Sequence, residues 1–446
     1  MKKIAKFLIV LGMIGQLSSC DYLDIVPDER AQESDTWKTE GAVRGYLYSC
    51  YGYLPANRTF GNSYWLAEEL TAVTKELFTT FKYGYYSPVS LGFTSNTWST
   101  IWNGIHQCYM FQESLKQVSN EYVTDEMKKQ YLAESNFLIA YYHFLSMRSY
   151  GPTMIIRSVI DLETPISGFP ERSSIDEVVA FINEKLDEAM SEGGLPTTWS
   201  GKDYGRATRL AALALKSRVY LYAASPLYNG NTEMYADFRS PLDGRQLIAQ
   251  EKSQAKWEIS ATQTKYAIDE VEKAKFHLYH DADAGEPSDA KPGLPNKAQR
   301  RLRYTNIDNQ TGNNPEIIWA DTRNDDYYGI QRRCPPRQTL GGKFAGISMT
   351  NCPTLQTIEA FYTKNGLPIN KDKTFDYDER YEYISAPENC DGNNYEDLVK
   401  YANFTPSSDK VMRLCTDREP RFYAWTTYHN GYFESVSYTH LRAHET

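Results

Sequence analysis

Apolar residues spaced three and four apart, in stretch after stretch of about 20 residues, constrain the fold of this chain more than any other feature. Between Thr124 and Tyr150, Ala133, Phe137, Ala140, Phe144 and Met147 recur at steps of four, three, four and three. This spacing predicts an amphipathic helix, which Gly151-Pro152 ends sharply. Asp125 and Glu126 suit its first turn, where acids complement the helix dipole. Val43, Leu47, Cys50 and Tyr51 share one face of a helix over 39–54, and Trp98, Ile101, Trp102, Ile105, Cys108 and Tyr109 mark another over 98–118. Ser174 with Glu177 forms a capping box that opens a helix over 173–190. Further helices are expected over 205–224 and 253–274. Paired helices joined by short loops predict a mainly α fold, a superhelix of tetratricopeptide-like pairs, although no strict 34-residue repeat is found.

Two stretches break the pattern. Residues 55–97 are rich in Gly, Asn, Thr and aromatics and read as an irregular loop insertion in a helical part spanning 39–280. After His280 the chain turns rich in Gly, Pro and Asp, with strand-like runs such as Glu316–Ala320, a Gly-rich loop over 341–354 and a short helix over 355–362. Residues 281–435 thus read as an irregular, partly β module packed on the helices.

The N-terminus reads as an address. Lys2, Lys3 and Lys6 precede the apolar run Phe7–Leu17, which is too short to span a bilayer core of about 30 Å but suits a signal peptide over 1–19. The LSSC tetrad ending at Cys20 resembles a lipobox, making Cys20 the expected lipidation site and 20–38 a tethered lead-in. The alternative is a plain signal peptide with a coincidental cysteine. No other segment approaches a spanning length, so the body is expected to be soluble.

Formal net charge is −9, which argues against nucleic acid as a partner. Tyr outnumbers Phe by 35 to 18. A dry core prefers Phe, so most of the tyrosines are expected at half-buried helix seams, and some on a wet binding face. Six cysteines follow Cys20 without a C-x-x-C pair, so no zinc site is expected. A disulfide among Cys334, Cys352, Cys390 and Cys415 and free buried thiols both remain open. His277 and His280 stand at an expected helix end, where imidazoles complement the dipole. Asp281-x-Asp283-x-Gly285 opens like a calcium loop, but Pro292 stands where its twelfth-position acid belongs. No metal, cofactor or catalytic residue is expected, and no P-loop, G-x-G-x-x-G or G-x-S-x-G occurs.

Five stretches match a known family in order: CDYLDIVPDE from Cys20, AESNFLIAYYHFLSMRSYGPTMII from Ala133, YGRATRLAALALKSRVYLYAASPLYNG from Tyr204, CPTLQTIEAFYTKNGLPI from Cys352 and DREPRFYAWTTYHNGYF from Asp417. Through them the chain resembles the SusD-like (RagB/SusD) nutrient-binding lipoproteins of Bacteroidetes-type bacteria. The resemblance implies a non-catalytic protein of polysaccharide utilisation, held on the outer membrane by lipid on Cys20. It implies that the protein caps a SusC-like TonB-dependent transporter and binds a glycan, or in some members a peptide. It implies that Arg206, Arg209 and Arg218 brace helices and carbonyl ends, and that Arg421 pairs with acids. The final VSYTHLRAHET, 436–446, matches no family segment and resembles an adapter-derived tail, so a truncated gene model with a non-native end is expected.

Sugar rings stack their C–H faces on exposed aromatics, while their hydroxyls bond to amides, Arg and Asp. The loop residues fitting that chemistry are Trp65, Tyr83, Tyr85, Tyr86, Trp319, Tyr327 and Tyr328, with Arg323, Asn324 and Asp325 as polar companions and Asn62 nearby. For each ring the plainer alternative is loop or core packing. Rival readings are a peptide binder, a helical scaffold that only holds partner proteins, and a surface glycosidase, which needs two convergent carboxylates.

Overall fold

The structure, a computed structural model, describes residues 37–55, 69–72, 87, 93–161, 163–280, 283, 298–299, 301–302, 305, 314–323, 351–385 and 410–428. The architecture is mainly helical and of tetratricopeptide type. Helices α1 (Glu40–Tyr51), α2 (Phe93–Leu115), α3 (Asp125–Tyr150), α4 (Ile175–Ala189), α5 (Arg209–Ala224), the short α6 (Thr232–Tyr235) and α7 (Gln254–Lys273) make the body. Strand β1 (Leu70–Ala72) pairs antiparallel with β4 (Asn351–Pro353), and β2 (Thr153–Met154) with β3 (Arg172–Ser173). Helix α8 (Leu355–Ala360), the antiparallel pair β5 (Tyr383–Ser385) and β6 (Lys410–Met412), and helix α9 (Pro420–Trp425) form the second part.

Local chemistry sets the helix ends. Thr39, Thr124 and Thr208 cap α1, α3 and α5 by accepting from the backbone N–H three residues on. The expected capping box of α4 is present, with Glu177 N–H on Ser174 Oγ at 3.3 Å and Ser174 N–H on Glu177 Oε2 at 2.7 Å. Gly151 stops α3 at φ +72°.

Helix α3 departs from the amphipathic expectation. Every residue from Ala133 to Met147 except Tyr141 is buried, because α1, α2, α4 and α5 all pack on it. Tyrosines also lie deeper than seams. Tyr142 is fully buried, and Tyr109, Tyr131 and Tyr228 nearly so. Each phenol finds an acceptor: Tyr142 donates to Cys50 O at 2.6 Å, Tyr109 to Ile156 O at 2.7 Å, Tyr228 to Met147 O at 2.9 Å, and Tyr131 to the Glu40 carboxylate. A satisfied hydroxyl removes the cost that otherwise keeps Tyr out of a core.

Several expectations are corrected. Phe93–Thr97 belongs to α2, not to irregular chain; propagation from a formed helix costs little even without periodic apolar residues. Strand β1 also lies inside the loop insertion, paired with residues far along the chain that local pattern cannot reveal. Glu316–Ala320 is irregular, turn and bend rather than strand. Tertiary partners meet polar groups at its start: Glu316 Oε2 accepts from Tyr279 N at 2.8 Å, and Pro315 O, just before it, from His277 N at 3.1 Å. His277 does not cap a helix, since α7 ends at Lys273. Cys50, Cys108, Cys352 and Cys415 are free thiols; Cys334 and Cys390 lie outside the described residues.

Side-chain hydrogen bonds hold the irregular second part. Arg418 donates to the carbonyls of Leu414 at 2.6 Å and of Ile358 and Phe361 at 2.7 Å, closing the end of α8. Asp372 accepts from Thr363 Oγ1 at 2.6 Å, Asn365 Nδ2 at 3.0 Å and Thr374 N at 2.9 Å, and these donors, Thr363 first, hold its carboxyl well below the usual range. Ile369, Phe375 and Leu414 form one small core there, and Val411, Cys415 and Phe422 another.

Two predictions follow from the buried groups of α3. The His143 ring is fully buried, its Nδ1–H on Ile139 O at 2.7 Å and its Nε2 accepting from Ile156 N at 3.3 Å. Burial lowers its pKa from 6.5 to about 4. The unfolded chain therefore binds this proton more readily. Stability is fully present above about pH 6.5 and falls by roughly 3 kcal/mol as pH drops through 4. Urea midpoints across that window should show the loss in the parent and a shallower one in His143→Gln; equal slopes would refute the assignment. The second prediction concerns Tyr142, whose ring lies 2.8 Å from where a Cβ on Gly104 would sit. Gly104→Ala should cost about 1–3 kcal/mol by overpacking, and Tyr142→Phe about 1–3 kcal/mol by stranding the Cys50 carbonyl, both read as shifts of the unfolding midpoint.

Candidate functional site

A cleft of about 370 Å³ opens where the end of α1, the middle of α3 and the loop 319–323 meet. Its walls come from Tyr48, Tyr51, Leu54 and Pro55, from Tyr141, and from Trp319, Asp321, Thr322 and Arg323.

Below one wall lies a buried ionic network. Glu134 of α3 is fully buried and accepts two bonds from Arg206, from Nη2 at 2.5 Å and Nε at 3.2 Å. Arg206 Nη1 also reaches Asp203 Oδ1 at 2.8 Å, and its guanidinium lies 4.1 Å from the Trp199 ring centroid. Tyr51 donates to Glu134 Oε2 at 2.6 Å and accepts from Ala207 N at 2.9 Å. Burial raises the Glu134 carboxyl above its usual range, while Arg206 and Tyr51 pull the other way. Burial, with Glu134 beside it, holds the Tyr51 phenol well above its ordinary value, so it stays a proton donor.

The opposite wall is docked with equal closeness. Gly205 takes φ +96°, and a Cβ there would meet Thr322 at 2.8 Å, so this position needs glycine. Trp319 donates its indole N–H to Gly205 O at 2.8 Å. Its ring meets Phe137 at 5.1 Å and Tyr141 at 5.5 Å, both edge to face. Arg323 then ties the walls together. It donates to Leu54 O at 3.0 Å, to Pro55 O at 2.6 Å and, through Nε, to Asp321 Oδ1 at 2.8 Å. Burial raises the Asp321 carboxyl, yet the Arg323 bonds outweigh it and leave its pKa lowered.

Of the residues expected to bind ligand, the structure brings Trp319 and Arg323 together here, Trp319 half-packed on the core. Trp65, Tyr83, Tyr85, Tyr86, Asn324, Asp325, Tyr327 and Tyr328 lie outside the described residues, as do Asn62, Cys20, Asp281 and the end segment 436–446. Sequence spacing missed Tyr48, Tyr51, Tyr141, Asp321 and Thr322. The available signal was on the helices: Tyr48 lies beside the buried 43–47–50 stripe of α1, and Tyr141 is the partly open position within the buried run of α3.

The family arginines are placed as well. Arg206 and Arg209 brace helices as expected, but through carboxylates rather than carbonyl ends; Arg209 binds Glu270 of α7 at 2.7 Å. Arg218 is exposed. Arg421 pairs with Glu419 at 2.7 Å as expected, while Arg418 grips the carbonyls. The His277 and His280 rings stack at 5.2 Å, and among the described residues no three His, Cys, Asp or Glu groups stand close enough to hold a metal.

No curated protein matches the chain. A SusD-like family model described as "Starch-binding associating with outer membrane" matches residues 21–221, and the SusD family model matches 315–444. The solved structure of BT4246 is 29% identical with a TM-score of 0.70, over 91% of this chain and 68% of that one. Its selenomethionine form aligns with a TM-score of 0.66 over 90% and 67%. A SusD-like protein, BF3747 from Bacteroides fragilis NCTC 9343, is 20% identical with a TM-score of 0.58, over 88% of this chain and 61% of that one. The chain thus spans about two thirds or less of the length of these solved relatives. With two family models on its two parts and these neighbours sharing its helical body, the chain belongs to the SusD/RagB family.

Proposed function

We propose that this protein binds oligosaccharide at the cell surface, tethered by lipid on Cys20, and delivers it unaltered to a SusC-like TonB-dependent transporter. The single observation that carries the binding step is the cleft itself, where the rings of Tyr48, Tyr51, Tyr141 and Trp319 converge. Such rings offer carbon faces to the C–H faces of pyranoses and lose little entropy on binding, because buried hydrogen bonds already fix Tyr51 and Trp319. Membership of a family whose model is described as starch-binding and outer-membrane-associated supports the same reading. Among the described residues no helix is long and apolar enough to cross a membrane.

Binding without chemistry fits the carboxylates. A glycosidase acid needs a raised pKa and a second carboxyl about 5–10 Å away. Asp321, which lines the cleft, has its pKa lowered, and Glu134 is buried under Tyr51 in its pair with Arg206. A peptide ligand is the other reading; the ring-lined wall favours sugar.

Calorimetry against a panel of neutral and acidic oligosaccharides tests the proposal. Tyr48 is 41% exposed, so Tyr48→Ala should spare the fold. It and Trp319→Ala are each expected to weaken glycan binding roughly 5- to 30-fold, about 1–2 kcal/mol, with the bound sugar recovered intact. Cleavage of any sugar, or unchanged affinity in both variants, would sink the reading.

A further inference from the structure

Resting on that reading, we infer that the cleft selects uncharged oligosaccharides, and that the Asp321–Arg323 pair sets this selection. Arg323 is the guanidinium on the wall among the described residues. A charged ligand would look to it first, because arginine forks match carboxylate and sulfate oxygens. Its donors are already committed to Leu54 O, to Pro55 O and to the Asp321 carboxylate. Asp321 returns a full negative charge and also accepts from Arg323 N at 3.1 Å. An incoming anion would have to displace a carboxylate already held in place, and release the carbonyls that join the two walls.

The facing wall likewise offers an anion no uncompensated cation, with two cations set against three carboxylates. The charges acting on the Tyr48 phenol are those of Arg206 and Arg44, opposed by Asp203 and Glu134. Arg206 is bonded to Asp203 and Glu134, and Arg44 lies 3.5 Å from Glu40. The polar atoms of two of the four rings turn inward too, Tyr51 onto Glu134 and Trp319 onto Gly205. What the described residues turn to the ligand is carbon surface without an uncompensated cation, suited to a neutral pyranose face and costly for an anion stripped of water. The volume, about 370 Å³, lies at the low end of small-ligand clefts, about 300–1,000 Å³, which fits a short stretch of glycan rather than a long one.

The test compares neutral tetrasaccharides of glucose, mannose and xylose with tetragalacturonate, by calorimetry at 20 and 500 mM NaCl, using the full chain and Asp321→Asn. The near-isosteric change keeps Arg323 on its two carbonyls but removes the compensating charge. Expected are neutral binding that moves less than twofold with salt, and tetragalacturonate at least 30-fold weaker. In Asp321→Asn, the affinity for tetragalacturonate relative to that for the neutral tetrasaccharides should rise about tenfold at low salt and lose that rise at high salt. Tighter, salt-sensitive binding of tetragalacturonate to the parent would overturn the inference and leave glycan binding intact. No gain in Asp321→Asn would overturn the role given to the pair. Binding of neither sugar class would overturn the glycan reading and this inference together.

Discussion

The buried pair of Glu134 and Arg206 is the interaction on which the rest of the body depends. It joins α3 to the segment that leads into α5, and through Tyr51 it also reaches the end of α1. Two charges removed from water gain little net stability from each other, but loss of Arg206 leaves the fully buried Glu134 without its cation, at about 3–5 kcal/mol. What the pair imposes is register. A helical stack can slide or rotate at modest cost, whereas a bidentate contact with Asp203 and Tyr51 as further partners is satisfied in a single arrangement. The cleft inherits that register, since Tyr51 is part of the network and also part of the wall.

The same economy runs through the helices. Polar atoms of large residues are placed on backbone groups that the helices leave open. Tyr142 meets the carbonyl of Cys50 near the end of α1. In the second part, where regular elements are short, Arg418 and Asp372 serve many backbone and side-chain partners each. An irregular module can be specific when a few buried charged groups replace the ladders that helices and strands would supply.

Much of the helical body was legible because its signals are local. Ser174 with Glu177, Thr124 before Asp125 and Gly151-Pro152 act within one turn of chain, and the structure puts helix ends at each. The tetratricopeptide-like pairing was legible from helix length and short links. Less of the site was. Trp319 and Arg323 were recognised by residue type in a loop, yet their wall partners on α1 and α3 look like helix-seam residues in the sequence. Nothing near Tyr48 or Tyr141 announces that a loop about 270 residues beyond the one and about 180 beyond the other closes over them.

By itself, then, the sequence determined the capped and glycine-ended helix termini and the family motifs, which rest on residue type and short-range chemistry. Only the tertiary structure decided that the stretch from Ala133 to Met147 of α3 is buried except at Tyr141, that Glu316–Ala320 is irregular rather than strand, and that Arg206 binds carboxylates while Arg418 takes the carbonyls. Burial and pairing are properties of distant segments brought together, as when the glycine at 205 admits Thr322 and so lets the Trp319 loop settle against the helices. Periodicity along one segment holds no record of which other segment will arrive, or at what distance.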